Sequence, residues 1–212
     1  MLSDVQIERY GRQILLPEVG GRGQARLLAA RVTVAGDGAA AAEAATLLGR
    51  AGVGTLDFLD GPAPLPELSP DCRIALHGGH DARDHPPHVL LDLRDHPAAP
   101  GAPPGCRAAP GDRPVVVGRQ RGARAVVALL VGRPCLACLD PDALALAAAG
   151  DTPALFEPTA LALGALAAGE VLRALLGVAT TGRLHVLALD DGRLRTTPLG
   201  PGRTCSVCGA GA

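Results

Sequence analysis

Lysine is missing from this chain altogether: all 20 basic residues are arginine. Any task that ordinarily falls to an ammonium group is therefore vacant here or done by a planar guanidinium with a different reach and geometry. Aromatic mass is nearly absent as well, with one tyrosine, two phenylalanines and no tryptophan in 212 residues. The core must then be built from Leu, Val and Ala, and stability must lean on close packing and on any bound metal. An excess of one charge is also lacking, since 20 basic residues face 21 acidic ones for a net charge of -1. No global field favours nucleic acid or an anionic membrane, so neither is expected as a partner. The segment from Met1 to Arg12 has neither the apolar run of a signal peptide nor a basic amphipathic transit pattern, which predicts a cytoplasmic location. Reducing conditions there favour zinc over disulfides.

What the chain does have is four cysteines in two matched pairs, Cys135-Leu136-Ala137-Cys138 and Cys205-Ser206-Val207-Cys208. C-x2-C twice is the spacing of a closed, tetrahedral four-thiolate zinc site, structural rather than catalytic, because no coordination position is left for substrate. Disulfides or unrelated thiols are the alternative. Cys72 and Cys106 have no such spacing and read as ordinary thiols.

Hydrophobic patterning predicts a helix from Val5, a turn at Leu16-Pro17-Glu18-Val19-Gly20 and a second helix over Gly23 to Ala30. A strand over Arg31 to Ala35, a turn at Gly36-Asp37-Gly38, an alanine-rich helix to Arg50 and a strand from Thr55 to Asp60 complete a βαβ unit of about 30 residues. Residues 61–87 lose periodicity and read mostly as loop, and His96 to Arg113 reads as a Pro/Gly-rich connection. Short strands are expected at Val89 to Asp92, Pro114 to Gly118 and Arg124 to Val131. Pro158 to Leu176 is apolar on nearly all faces but carries Glu170 and Arg173, which predicts a buried core helix rather than a membrane span. A hairpin is expected around Asp190-Asp191-Gly192.

Gly36-x-Gly38-x-x-Ala41 matches the dinucleotide fingerprint in its alanine-ended form, between a strand and a helix, with Asp60 at the end of the next strand placed to accept from a ribose. The alternative is a purely structural βαβ turn. Asp37 puts a negative charge in the turn that should meet phosphate oxygens.

The order of these features resembles the ThiF/MoeB/HesA family, prokaryotic relatives of the ubiquitin-activating E1 enzymes. The residues that carry the likeness are Arg9-Tyr10-x-Arg12-Gln13 with Leu15-Leu16 and Gly20, Val34-x-Gly36-x-Gly38, Ala51-Gly52-Val53-Gly54 with Leu59-Asp60, and both cysteine pairs. The resemblance implies one doubly wound, Rossmann-like α/β domain over 1–212 with a mostly parallel sheet. It has an N-terminal helical arm (1–30), a nucleotide-binding-type core (31–134) with a shortened 61–88 loop, and a C-terminal hairpin tethered by zinc (135–212). It further implies binding of ATP and magnesium and adenylation of the C-terminal glycine of a small ubiquitin-like sulfur-carrier protein ending in Gly-Gly. The chain would act as a homodimer or as a heterodimer with an active E1-like protein.

By the same resemblance, Arg12 reaches the partner's nucleotide and Asp95 lies near the metal and the reacting phosphate. Gly36, Gly38, Ala41 and Asp60 hold the nucleotide, and Cys135, Cys138, Cys205 and Cys208 hold the zinc. Departures are equally specific. The Asn-Leu-x-Arg-Gln segment and the lysine that grip the triphosphate in this family are absent, and the run from Asp60 to Val89 looks too short for the usual helix and strand. Arg73 and Arg83 are the cations that could substitute. No cysteine occurs over Gly150 to Glu157, where thioester-forming members carry one. Catalysis is therefore expected to be impaired or lost, and the alternative function is a pseudoenzyme half that donates Arg12 to an active partner. A nicotinamide-dependent oxidoreductase, which the glycine turn alone would permit, explains neither the cysteine pairs nor the Arg9 to Gln13 run. His77, His80, His85, His88 and His96, with Asp81 and Asp84 nearby, are read as solvated loop residues, a second metal site being the alternative.

Overall fold

A computed structural model of the chain describes residues 2–60, 65, 68–76, 87–94, 113–131, 152–179 and 181–200. Helix α1 (Asp4–Ile14) starts where Ser3 and Gln6 cap each other: the Gln6 amide donates to Ser3 Oγ at 3.3 Å and the Ser3 amide to Gln6 Oε1 at 3.1 Å. That reciprocal box satisfies two amides that a helix start would otherwise leave open. Helix α2 (Gly20–Ala29) leads into β1 (Arg31–Ala35), then α3 (Ala39–Arg50) and β2 (Thr55–Phe58).

The shortened loop expected over 61–88 contains a strand, β3 (Arg73–Leu76), which pairs in parallel with β2 from Arg73↔Thr55 to Leu76↔Phe58. Four residues with a single β-branched side chain carry no period of their own. The unpaired edge of β2 selects the strand instead, beginning with the Arg73 amide donating to the Gly54 carbonyl at 2.9 Å. Strands β4 (Val89–Asp92), β5 (Val115–Arg121) and β6 (Arg124–Leu130) follow, then α4 (Phe156–Leu175) and the hairpin of β7 (Gly182–Ala188) and β8 (Arg193–Leu199).

The eight strands of the described residues form one sheet in the order β3-β2-β1-β4-β5-β6-β7-β8. Pairings are parallel from β3 through β5 and antiparallel from β5 through β8, so the sheet is mixed, with the parallel half carrying the βαβ unit. Alternation sends Val32, Val34, Leu56, Phe58, Leu91 and Val116 into the larger core with α3 and α4. Leu90, Val115, Val117, Ala128 and Leu130 form a smaller core on the opposite face.

Helix α4 is long and apolar enough to cross a bilayer by length and composition, yet one side of it is buried through Ala160, Leu163, Ala167 and Val171 in the same core as α3. A methyl group at Gly164 would lie 2.4 Å from the Ala40 carbonyl oxygen, so the two helices meet backbone to backbone. The alanines of α3 and the glycine of α4 make that approach possible, which is how a core poor in aromatics closes its gaps. Glu170 of α4, also buried, accepts from His185 Nε2 of β7 at 3.0 Å, and His185 Nδ1 lies 2.9 Å from Thr196 Oγ1 of β8. The antiparallel hairpin is thereby fastened to the core helix. Cys135, Cys138, Cys205 and Cys208 lie outside the described residues, and so does the zinc tether assigned to them.

Candidate nucleotide site

The parallel strands place their first residues at one end of the sheet, where Arg31, Thr55 and Arg73 align, and their last residues, among them Ala35, Phe58 and Asp92, at the other. At that second end β1 leads outward to β2 while β4 lies on its other side, which makes the crevice beyond β1 and β4 a topological switch point. Ligands of doubly wound sheets bind at such a point, beyond the carboxyl ends of the strands.

Gly36 leaves β1 at φ 121°, and a side chain there would stand 3.0 Å from the carbonyl carbon and oxygen of Leu93 and 3.4 Å from the Arg94 amide. Only glycine meets both demands. Gly38 is different: it caps α3 in an extended conformation, it is exposed, and a Cβ at that position would meet nothing within 4 Å among the described residues. No described side chain therefore blocks the start of α3, whose first amides have no partner inside the helix and whose dipole presents positive charge. Ala41 is fully buried in the core beneath the turn, where its small side chain serves packing rather than ligand contact. Asp60 Oδ2 accepts from the Gly36 amide at 2.9 Å and so clasps the turn directly. Asp37 is exposed at the turn.

Beside the turn, buried Asp92 ends β4 and holds two arginines. Arg94 donates through Nε to Oδ1 at 3.1 Å and through Nη2 to Oδ2 at 2.7 Å, while Arg119 Nη1 lies 3.3 Å from Oδ1 and donates to the Asp92 carbonyl at 3.1 Å. Burial pushes the Asp92 carboxyl up, but the Arg94 hydrogen bonds and the charges of both arginines outweigh it and hold it below the usual carboxylate range. Asp95, assigned near the metal, lies outside the described residues. Asp92 cannot stand in for it, because its oxygens are committed to guanidinium groups. Among the described residues no group of three or more His, Cys, Asp or Glu side chains could hold a metal ion.

Arg12 sits in the last turn of α1, exposed and without a hydrogen bond or ion pair among the described residues. Its helix is anchored by other side chains of the same motif: Tyr10, buried, shares a 2.6 Å hydrogen bond with Ser69 Oγ and donates to Asp71 Oδ2 at 3.1 Å. Arg9 pairs with Asp71, and Gln6 donates to its other oxygen at 3.0 Å. Gln6, Tyr10 and Arg9 together hold the Asp71 carboxyl below its ordinary value. Arg73, the expected substitute cation, starts β3 at the far end of the sheet and cannot reach the switch point. His88 is at that far end too, its Nδ1 accepting from the Arg31 amide at 3.1 Å. Arg83 and the other four loop histidines lie outside the described residues. Asp92, Arg94 and Arg119 were not singled out by the sequence; an acid closing the apolar run Val89-Leu90-Leu91 was the one signal present.

A doubly wound sheet with a glycine turn opening onto a helix N-terminus at the switch point defines a Rossmann-like fold. The ThiF family model matches residues 10–62, from Tyr10 of the arm through the glycine turn to Asp60. Adenylyltransferase and sulfurtransferase uba4 of Aspergillus niger is 32% identical over 130 residues, 46% of this chain and 27% of the relative. Adenylyltransferase and sulfurtransferase MOCS3 of Mus musculus is 48% identical over 77 residues, 36% of this chain and 16% of the relative. The chain thus spans about a quarter or less of the length of these relatives. Among solved structures, Escherichia coli MccB with ATP has a TM-score of 0.67 at 17% identity, covering 95% of this chain and 74% of that one. MccB with MccA-N7isoASN has a TM-score of 0.68 at 16% identity, covering 98% and 75%. The fold is shared over nearly the whole chain.

Proposed function

We propose that this chain binds ATP at the Gly36–Gly38 turn and adenylates the C-terminal carboxylate of a small ubiquitin-like carrier protein or peptide. The observation that carries the reading is the α3 N-terminus at Gly38, which no described side chain blocks, with Asp60 clasping the turn. The names of the relatives, adenylyltransferases, and of the solved structures, MccB with ATP and MccB with MccA-N7isoASN, support the reading.

In the proposed reaction a carboxylate oxygen attacks the α-phosphorus, the bond to the bridging oxygen breaks, and pyrophosphate leaves with its electron pair. The product is an acyl-adenylate. Nothing is left for a covalent nucleophile to do, so the protein's contribution is positioning and neutralisation of phosphate charge. Amides at the start of α3 and the positive end of its dipole receive phosphate oxygens. Asp60, exposed and with one oxygen free among the described residues, would take a ribose hydroxyl. Arg12, exposed on an arm anchored through Tyr10 and Arg9, is proposed to reach the nucleotide of a second copy or of an E1-like partner. Asp95 is proposed as the carboxylate beside magnesium, an ion that neutralises phosphate charge when bound.

A second reading has one specific observation behind it: with no lysine in the chain and Arg73 at the wrong end of the sheet, the family's usual triphosphate grip is missing. On that reading the chain is the degenerate half of a heterodimer, donating Arg12 to an active partner. ATP/pyrophosphate exchange separates the two. The first predicts exchange that depends on a carrier or peptide with a free C-terminus. Exchange that appears only when an active relative is added, and falls when Arg12→Ala is introduced here, would establish the second.

A further inference from the structure

We propose that Asp71 is a positioning residue for the nucleotide site: its carboxylate fixes helix α1 and so sets the place from which Arg12 reaches the nucleotide of a second copy of the chain. The inference rests on the ATP reading and on the role given there to Arg12, and it names what holds the arm for that role.

Convergence is the first argument. Three side chains of α1 meet at one carboxylate: Gln6 Nε2 donates to Oδ1 at 3.0 Å, the Tyr10 hydroxyl donates to Oδ2 at 3.1 Å, and Arg9 pairs with Oδ2. Residues 6, 9 and 10 have the i, i+3, i+4 spacing that puts them on one face of a helix. Ser69 Oγ shares a 2.6 Å hydrogen bond with the same hydroxyl and accepts from the Asp71 amide at 3.4 Å, so the carboxylate is itself oriented. Apolar burial adds little to this hold, for among the described residues Tyr10 is the one buried side chain of α1. Its ring stands against Gly52, where a Cβ would lie 2.8 Å from Tyr10 Cζ. Gly52, at φ 88°, follows the last turn of α3. The arm is thus fastened beside the end of the helix whose start faces the glycine turn.

Transmission is the second. Arg12 follows Tyr10 by two residues in the same unbroken helix, about 3 Å further along its axis. It lies about a third of a turn round from the middle of the clasped face, exposed and with no hydrogen bond or ion pair among the described residues. No joint separates the clasp from the cation, so the orientation of one fixes the root of the other. A guanidinium rooted in a fixed helix loses only its own rotamer freedom when it meets a phosphate, whereas one on a loose arm loses the freedom of the arm as well. The difference appears as affinity for the nucleotide. A fastening that serves stability alone is the competing account.

The test is a double-mutant cycle read by calorimetric titration of the full chain with ATP and magnesium. Arg12→Ala should weaken ATP about tenfold, the value of one charge-assisted contact, and Asp71→Ala about fivefold. The double variant should bind no more weakly than Arg12→Ala alone, because Asp71 acts only through that arginine. Asp71→Asn, which can still accept from Gln6 or Tyr10, should recover part of the loss. If Asp71→Ala weakens ATP by the same factor with and without Arg12, or leaves ATP affinity at the wild-type value, the positioning role is wrong and the clasp is structural, while ATP binding itself stands. Wild-type affinity in Arg12→Ala would overturn the proposal through Arg12, again leaving the site at the glycine turn intact. If the wild type binds no ATP, the ATP reading fails and the positioning role with it. Should Asp71→Ala not fold, the cycle of Arg12→Ala with the paired surface changes Gln6→Ala and Arg9→Gln decides.

Discussion

At Asp92 a carboxylate is buried and charged at once, which is tolerable only because two guanidinium groups meet it. Its folded-state acidity is below the ordinary value of 3.8, so its contribution to stability is fully present above that pH and is lost as pH falls through the folded-state value. Removing the charge breaks a buried pairing worth about 3 kcal/mol. Asp92→Asn should accordingly melt below the wild type at pH 7, with the gap closing as pH is lowered through the acid range below 3.8. A constant gap in melting temperature across that range would contradict the assignment. Cys72 shows the opposite balance: burial alone pushes its thiol up to about 11, the state of an inert packing residue. Gly36 and Gly38 were legible in the sequence because a strand, a turn and a helix follow one another within a few residues. Arg94 and Arg119 were not, since what joins them is the pairing of β4 with β5, from Leu90↔Val115 to Asp92↔Val117, across a long connection.

Among the elements, α3 and α4 depend on each other through small residues. Gly164→Val places a side chain where the Ala40 carbonyl already stands, and should cost about 2 kcal/mol by forcing the helices apart. Ala40 lies in the first turn of α3, so the same change should also displace the amides that face the nucleotide. A melting temperature equal to that of the wild type would show that the helices do not pack so closely. The helices and most strands could be read ahead from apolar periodicity and from the breaks at Gly36, Gly52 and Gly177. Strand β3 could not, because its four residues are ordered by the edge of β2 rather than by a pattern of their own. The arm is a mixed case. Its helices follow from pattern, but the anchoring of Tyr10 and Arg9 on Ser69 and Asp71 joins residues about sixty positions apart.

For the molecule as a whole, the sheet divides into a parallel half that carries the glycine turn and an antiparallel half that extends it, the two joined at β5 and braced by α4. The two cysteine pairs follow β6 and β8 in the chain, and we propose that they close one zinc ion over the antiparallel half. Metal analysis should find one zinc per chain, and Cys205→Ser should lose it together with several degrees of melting temperature. Loss of zinc with no change in melting would show that the clasp contributes little. The account's central claim is that the turn at the switch point receives ATP, and Gly38 gives the cleanest access to it. A side chain there meets nothing among the described residues, and aspartate is a favoured N-cap residue, so Gly38→Asp should leave the fold as stable or slightly more so while placing a carboxylate where phosphate must approach. Calorimetric titration with ATP should show one saturable site in the wild type and none in Gly38→Asp at an undiminished melting temperature; equal binding by both proteins, or none by either, would contradict it.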